Sequence, residues 1–220
     1  MRRRSLAAGA ALSLTLAAIT TEMALPSIAE DRVRDELATM GTVTTVEVSA
    51  LPAVKLLFGN VESAAIRMSS ATLDANTMEE MLDRFGDVEA LDAEIDSLQA
   101  GPFDVESASL TKRGQSLDAK ATLDVGQIES LVPGAKVTVE DGKMLLSLKD
   151  LPLPLPVPGP IQVQIGVDDG KVVAQPLGAI SSMLPTQPLM DRPQLSVTAL
   201  QSSITNGEVT VTATATLTDL

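Results

Sequence analysis

The chain has no cysteine, histidine, tryptophan or tyrosine, and among its 220 residues only Phe58, Phe85 and Phe103 are aromatic. Without cysteine or histidine there is no conventional zinc site, no haem ligation, no Ser-His-Asp or Cys-His apparatus and no disulfide framework. The lack of aromatics removes the stacking platforms that single-stranded nucleic acid favours. A net charge of −13 is also the wrong sign for a phosphate backbone, so both features argue against a nucleic-acid partner.

What remains for acid-base chemistry is Asp and Glu. The acids between Glu79 and Asp96 invite a metal site or a carboxylate pair, but no calcium-loop spacing occurs and a solvated face accounts for them. A hydrolase or glycan-processing enzyme built on two carboxylates therefore finds no support in their spacing. The expectation is a chain that is not an enzyme and uses no metal or cofactor.

The first residues read as an export signal. Arg2, Arg3 and Arg4 form a basic start and SLAAGAALSLTLAAI, residues 5 to 19, an apolar run too short for a confident membrane span. Residues 1–29 are thus expected to be a signal peptide, cut after Ala29, or a retained N-terminal membrane anchor. Residues 30–220 then form a single domain outside the cytoplasm, in the cell envelope, the periplasmic space or the medium. That domain carries 13 basic and 28 acidic residues. An anionic membrane repels such a surface, so any transient membrane contact should be apolar and local.

Local patterns place the elements. SIAEDRVRDELATMG predicts a helix with Ala29, Val33, Leu37 and Met40 on one face, Ser27 and Glu30 as a capping box, and Gly41 just beyond its end. Strands are expected at 43–49 and 61–68, with a bend at Pro52 between them, and a helix at 76–86 presenting Met78, Met81, Leu82 and Phe85. Residues 88–98 fit either period: Leu91, Ile95 and Leu98 a helix, Leu91, Ala93 and Ile95 a strand. From residue 103 onward the pattern is of hairpins, with turn signals at Arg113-Gly114, Asp141-Gly142, Asp169-Gly170 and Asn206-Gly207. In the last of them Val209, Val211, Ala213, Ala215 and Leu217 share one face and the alternating threonines the other. Two short helices interrupt the strands: DVGQIESLV, capped by Asp124, and PLGAISSMLP, with Leu177, Ile180, Met183 and Leu184 on one side.

The segment LPLPLPVPGP, residues 151–160, has proline at every second position. In an extended chain those prolines strip the N–H donors from one edge only, so the segment can close off a sheet but cannot run through its middle. It is apolar on both faces, which is foreign to a solvent loop. Either the protein's own core or something apolar from outside meets it.

These features predict an α+β fold, a curved and twisted antiparallel sheet with a few short helices on its apolar face. The aliphatic inventory serves equally as a plain core or as the wall of a cavity for an aliphatic ligand. An envelope scaffold or interaction module without a ligand is the competing expectation.

The order of parts, LPAVKLLFGNVESAAIRM, then ATLDVGQIESLV, then RPQLSVTALQSSITNGEVTVTATATL, resembles the LmeA family of phospholipid-binding cell-envelope proteins. Pro52, Leu56, Leu57 and Gly59 match that family's Pro-x-Leu-Leu-x-Gly-like element and Asn206-Gly207 its last hairpin turn, whereas AVKL stands where an aromatic often follows the proline. The resemblance implies a tubular lipid-binding-like fold enclosing an apolar channel. It also implies that the chain binds, and carries, phospholipid or another diacyl envelope lipid. The residues expected to line that channel are Leu56, Leu57, Phe58, Phe103, Leu151, Leu153, Leu155, Val157, Leu177, Ile180, Met183 and Leu184.

Overall fold

In the computed structural model, the residues described are 26–50, 56, 61–73, 88–131, 134–148, 161–178, 181, 184–190 and 192–218. They form a helix and thirteen strands in two sheets, with a second short helix between them. Helix α1 covers residues 26–37. The strands are β1 (Gly41–Ser49), β2 (Ser63–Leu73), β3 (Ala90–Ile95), β4 (Leu98–Ala100), β5 (Phe103–Arg113) and β6 (Ser116–Asp124). Helix α2 (Val125–Leu131) follows. Then come β7 (Ala135–Glu140), β8 (Lys143–Leu148), β9 (Ile161–Asp168), β10 (Lys171–Leu177), β11 (Gln187–Met190), β12 (Leu195–Thr205) and β13 (Glu208–Leu217).

The larger sheet has eight strands in the order β1-β2-β3-β5-β6-β13-β12, with β4 continuing the line of β3 between β2 and β5. The smaller sheet is a five-stranded antiparallel meander, β11-β10-β9-β8-β7. Antiparallel pairing prevails throughout. The exception is β2, which runs parallel to β3 and β4 because a long connection, residues 74–89, carries the chain back to the start of β2 before β3 begins. The expected single sheet is therefore two sheets, the larger one mixed.

Turn chemistry sets the register. Asp141, Asp169 and Asn206 have φ of 50°, 48° and 56°, and each is followed by a glycine with φ between 74° and 88°. That pair of left-handed residues is the tight hairpin turn whose twist matches the flanking strands, and Asx-Gly is the dipeptide that reaches it at least cost. The β5–β6 turn differs by a residue from expectation: Gly114 and Gln115 form it, while Arg113 still pairs with Ser116.

Residues 88–98 resolve as strands, with Leu91 and Leu98 buried. The apolar face of α1 is as expected, since Leu37 is buried and Ala29, Val33 and Met40 pack on the same cluster. Its caps are not. Ser27 lies inside the helix, whose described part begins at Pro26. Gly41 belongs to β1, where a Cβ would sit 2.0 Å from the Ser70 carbonyl oxygen, so its role is close strand approach.

α2 is fixed at both ends. Asp124 precedes it as expected and its carboxylate curls over Gly126, 2.8 Å from where a Cβ would stand. The Gln127 side chain accepts from Asp104 N–H at 2.8 Å and donates to Asp104 O at 2.9 Å, which pins the helix to β5. Glu129 Oε1 accepts the Val137 N–H at 3.0 Å, so the helix also occupies part of the outer edge of β7.

Candidate functional site

Side-chain alternation gives the larger sheet one polar face and one apolar face. On the outside Thr122 and Thr210 share a hydrogen bond of 3.1 Å, and Thr214 donates to Asp118 at 2.7 Å. Arg113 grips Asp92 with bonds of 2.9 and 2.8 Å, and Arg67 pairs with Glu94, which holds the guanidinium above its usual value. Salt bridges this exposed contribute little to stability.

The inner face is apolar in register from strand to strand. One row runs Ile66, Ala93, Leu110, Ala119, Ala213, Leu200, and its neighbours follow the same rule. Different partners cover its two halves. Over β1 to β5 the α1 face and the strands' own side chains form the largest buried cluster, around Val46, Ile66, Met68 and Leu91. Over β6, β13 and β12 the smaller sheet folds back. Val137, Met144, Leu146 and Ile165 join Leu123, Val209 and Val211 in one cluster; Val167 and Val172 join Leu117, Val197 and Ala215 in another.

The smaller sheet is anchored to the edge of β12 by its turns. Gly142 O accepts from Ser202 N–H at 2.7 Å, and Gly170 O accepts from Val197 N–H at 2.8 Å. These bonds occupy donors that an open edge would offer to another chain. Gly170 approaches so closely that a Cβ there would meet Ser196 Oγ at 2.6 Å.

Between the clusters, among the described residues, runs a stretch of the inner face that joins none of them. Along β13, Val209 and Val211 belong to one cluster and Ala215 to the next, whereas Ala213 between them belongs to neither, and its ladder neighbours Ala119 and Leu200 join none either. All of these are only partly buried, although Val209 is 0% exposed.

Of the residues expected to line a channel, Leu56 is buried and packs with Ala50, Ala29 and Val61. Phe103 is partly buried and bridges the large β1–β5 cluster to the one beneath the smaller sheet. Leu177 is a correction: it ends β10 instead of opening a helix. Pro176 tolerates the strand because β11 pairs only as far as Ala174, which leaves no donor required on that side. Leu184, expected on the same helical face, is 42% exposed in a bend. Leu57, Phe58, Leu151, Leu153, Leu155, Val157, Ile180 and Met183 lie outside the described residues, as does the helix expected at 76–86.

Sequence reading missed Lys112. It occupies the inner row between Leu91 and Leu117, is 4% exposed, and its ammonium donates to the Val88 carbonyl. The alternation of the second half of β5 was the available signal, since Leu110 and Lys112 share a face. A cleft of about 330 Å³ lies at the strand ends, lined by Ser49, Glu62, Ser63, Glu89, Ala90, Arg113 and Gly114. No cluster of three or more carboxylates positioned for a metal occurs among the described residues. Compared with known proteins, the chain matches no family model, no curated protein and no solved structure.

Proposed function

We propose that the protein binds, and carries, a diacyl phospholipid or a related envelope lipid, with its acyl chains held in an apolar channel between the two sheets. The observation that carries this reading is the row Ala119, Ala213, Leu200, partly buried and outside every cluster while the same face is closed on both sides of it. An aliphatic wall without aromatics or paired charges suits an acyl chain better than a polar ligand. The resemblance of the chain's order of parts to phospholipid-binding envelope proteins points the same way.

Magnitudes set what such a site must provide. Shielding an acyl chain of about 14 methylenes is worth ~11 kcal/mol at ~0.8 kcal/mol each. At ~25 cal/mol per Å² this calls for roughly 450 Å² of apolar cover, a tunnel or deep groove and not a patch.

The second reading, an envelope scaffold with no lipid ligand, draws on the buried clusters at either side of that row, which by themselves resemble an ordinary core. Enlarging the alanines separates the two. If the row borders a channel, Ala119→Leu and Ala213→Leu leave unfolding free energy within about 0.5 kcal/mol and reduce uptake of a fluorescent phospholipid. If the row is packed core, overpacking costs ~1–3 kcal/mol and no uptake exists to be reduced.

A further inference from the structure

The two sheets are joined in two unlike ways. Near the start of β7 the joint is α2: Val125 N–H donates to Gly207 O at 2.9 Å, Gln127 exchanges two bonds with the Asp104 backbone, and Glu129 Oε1 accepts from Val137 N–H. Val125 and Ile128 also pack in the cluster of Val137 and Val209. At the other end of β7 the joint is a seam, where the β7–β8 and β9–β10 turns rest on the edge of β12. Backbone hydrogen bonds cross it from Ser202 to Gly142 and from Val197 to Gly170, and among the described residues no strand of the smaller sheet pairs with β12.

Behind this seam lies the row on which the lipid-binding reading stands. Leu200 is on β12 between Val197 and Ser202, the two residues that hold the turns, and the register leads from it to Ala213 and Ala119. The same stretch of β12 departs from regular pairing, with a register shift between Val197 and Ala199, and Thr198, Ala199 and Gln201 are exposed. Apolar contact adds to the joint: Val137 and Met144 share a cluster with Val209, and Val167 and Val172 share one with Val197 and Ala215. Such contact is non-directional, so acyl chains can take its place, whereas a strand ladder would have to be given up bond by bond.

We propose that the smaller sheet is a hinged cover: its two turns part from β12 while α2 holds, and a lipid's acyl chains enter through the opened seam to lie along Leu200, Ala213 and Ala119. The inference rests on the lipid-binding reading. The chain passes from Met190 to Leu195 at one end of the seam, and five peptide steps reach up to ~16 Å at ~3.3 Å each, so this connection tethers the cover without holding it shut. Gly170 supplies the close approach that shuts it, since a side chain there would meet Ser196. Opening of this kind is a hinge motion, in which short segments absorb the change and the sheets move as bodies.

The test uses the absence of cysteine. A Cβ at Gly170 would stand 3.5 Å from the Ser196 Cβ, within the range a disulfide spans, so Gly170→Cys with Ser196→Cys can bolt the seam. The control is Ser49→Cys with Ser63→Cys, a pair whose hydroxyls are 2.6 Å apart and whose bond would stay within the larger sheet. Both pairs are made in the full chain and delipidated, and thiol titration verifies closure. Uptake is timed from phosphatidylcholine vesicles that carry a self-quenched fluorescent phosphatidylcholine. The expected result is that oxidation slows uptake tenfold or more in the first pair, that reduction restores it, and that oxidation leaves the control pair unchanged. A second variant works in the opposite direction. The Ser202 N–H points to Gly142 and so takes no part in the β12–β13 ladder; Ser202→Pro therefore deletes a seam bond alone and should speed uptake several-fold. Equal rates in the oxidised and reduced first pair overturn the proposal, as does equal slowing in the control. Should the first pair not close, a Ser202→Pro rate no faster than the parent's overturns it. Uptake that ignores the bolt refutes the cover and leaves the cargo, whereas a parent chain that takes up no lipid refutes the cargo reading and the cover with it.

Discussion

At the scale of single residues, the hairpin turns carry the most testable chemistry. Gly142 and Gly170 both sit at φ +74°, where a side chain is strained by ~1–2 kcal/mol. They differ in surroundings, since a Cβ at Gly142 meets nothing within 4 Å and one at Gly170 meets Ser196 Oγ at 2.6 Å. Urea unfolding should therefore rank Gly170→Ala as the more damaging of the two, by about 1 kcal/mol or more beyond the shared backbone cost. Equal losses would mean that the turn does not depend on close approach to β12. These turn residues were legible in the sequence because Asx-Gly has few other uses between alternating runs. Lys112 was less so, because a lone lysine at the end of a strand normally reaches solvent, and although it alternates with Leu110 it is the register from Ala90 to Arg113 that shows it pointing inward.

At the scale of elements, strands were easier to read than short helices. The alternation of β13, five apolar residues against the threonines, fixes its two faces over ten residues. The stretch at 176–186 has too few residues for its period to decide, and the pairing of β10 with β9 claims Leu177 for a strand. The capping residues of α1 misled for a related reason, since Ser27 and Glu30 suit a first turn wherever it begins. Residue 29 lies within α1, and Ala29 packs against the large cluster and against Leu56, so a signal cut after Ala29 would remove a turn of helix and that contact. For the segment between β8 and β9, on the proposed reading in which these leucines rim the channel, Leu153→Ser with Leu155→Ser is expected to lower fluorescent-phospholipid uptake while the melting temperature holds, because a rim residue would leave little cavity behind. Were these leucines core, thermal unfolding would instead register about 2 to 5 kcal/mol lost for each.

At the scale of the whole molecule, the class was legible and the assembly was not. Composition and turn spacing indicate a β-rich α+β chain, but nothing local says that strands β7 to β11 leave the larger sheet and fold back over it. That arrangement depends on contacts between residues far apart in sequence, such as Val209 with Met144 and Ala215 with Val167. The parallel pairing of β2 with β3 is hidden in the same way by the long connection between them. The position of Ala119, Ala213 and Leu200 belongs to this scale too, because it is set by how the smaller sheet lies over β6, β13 and β12. Whether the chain holds a lipid, as proposed, is decided most directly by mass spectrometry of organic extracts from the purified protein, quantified against protein. The expected result is a diacyl lipid in near-stoichiometric amount, retained through detergent-free purification and taken up again by the delipidated chain. An extract free of lipid, from a folded chain that also takes up none, would contradict it.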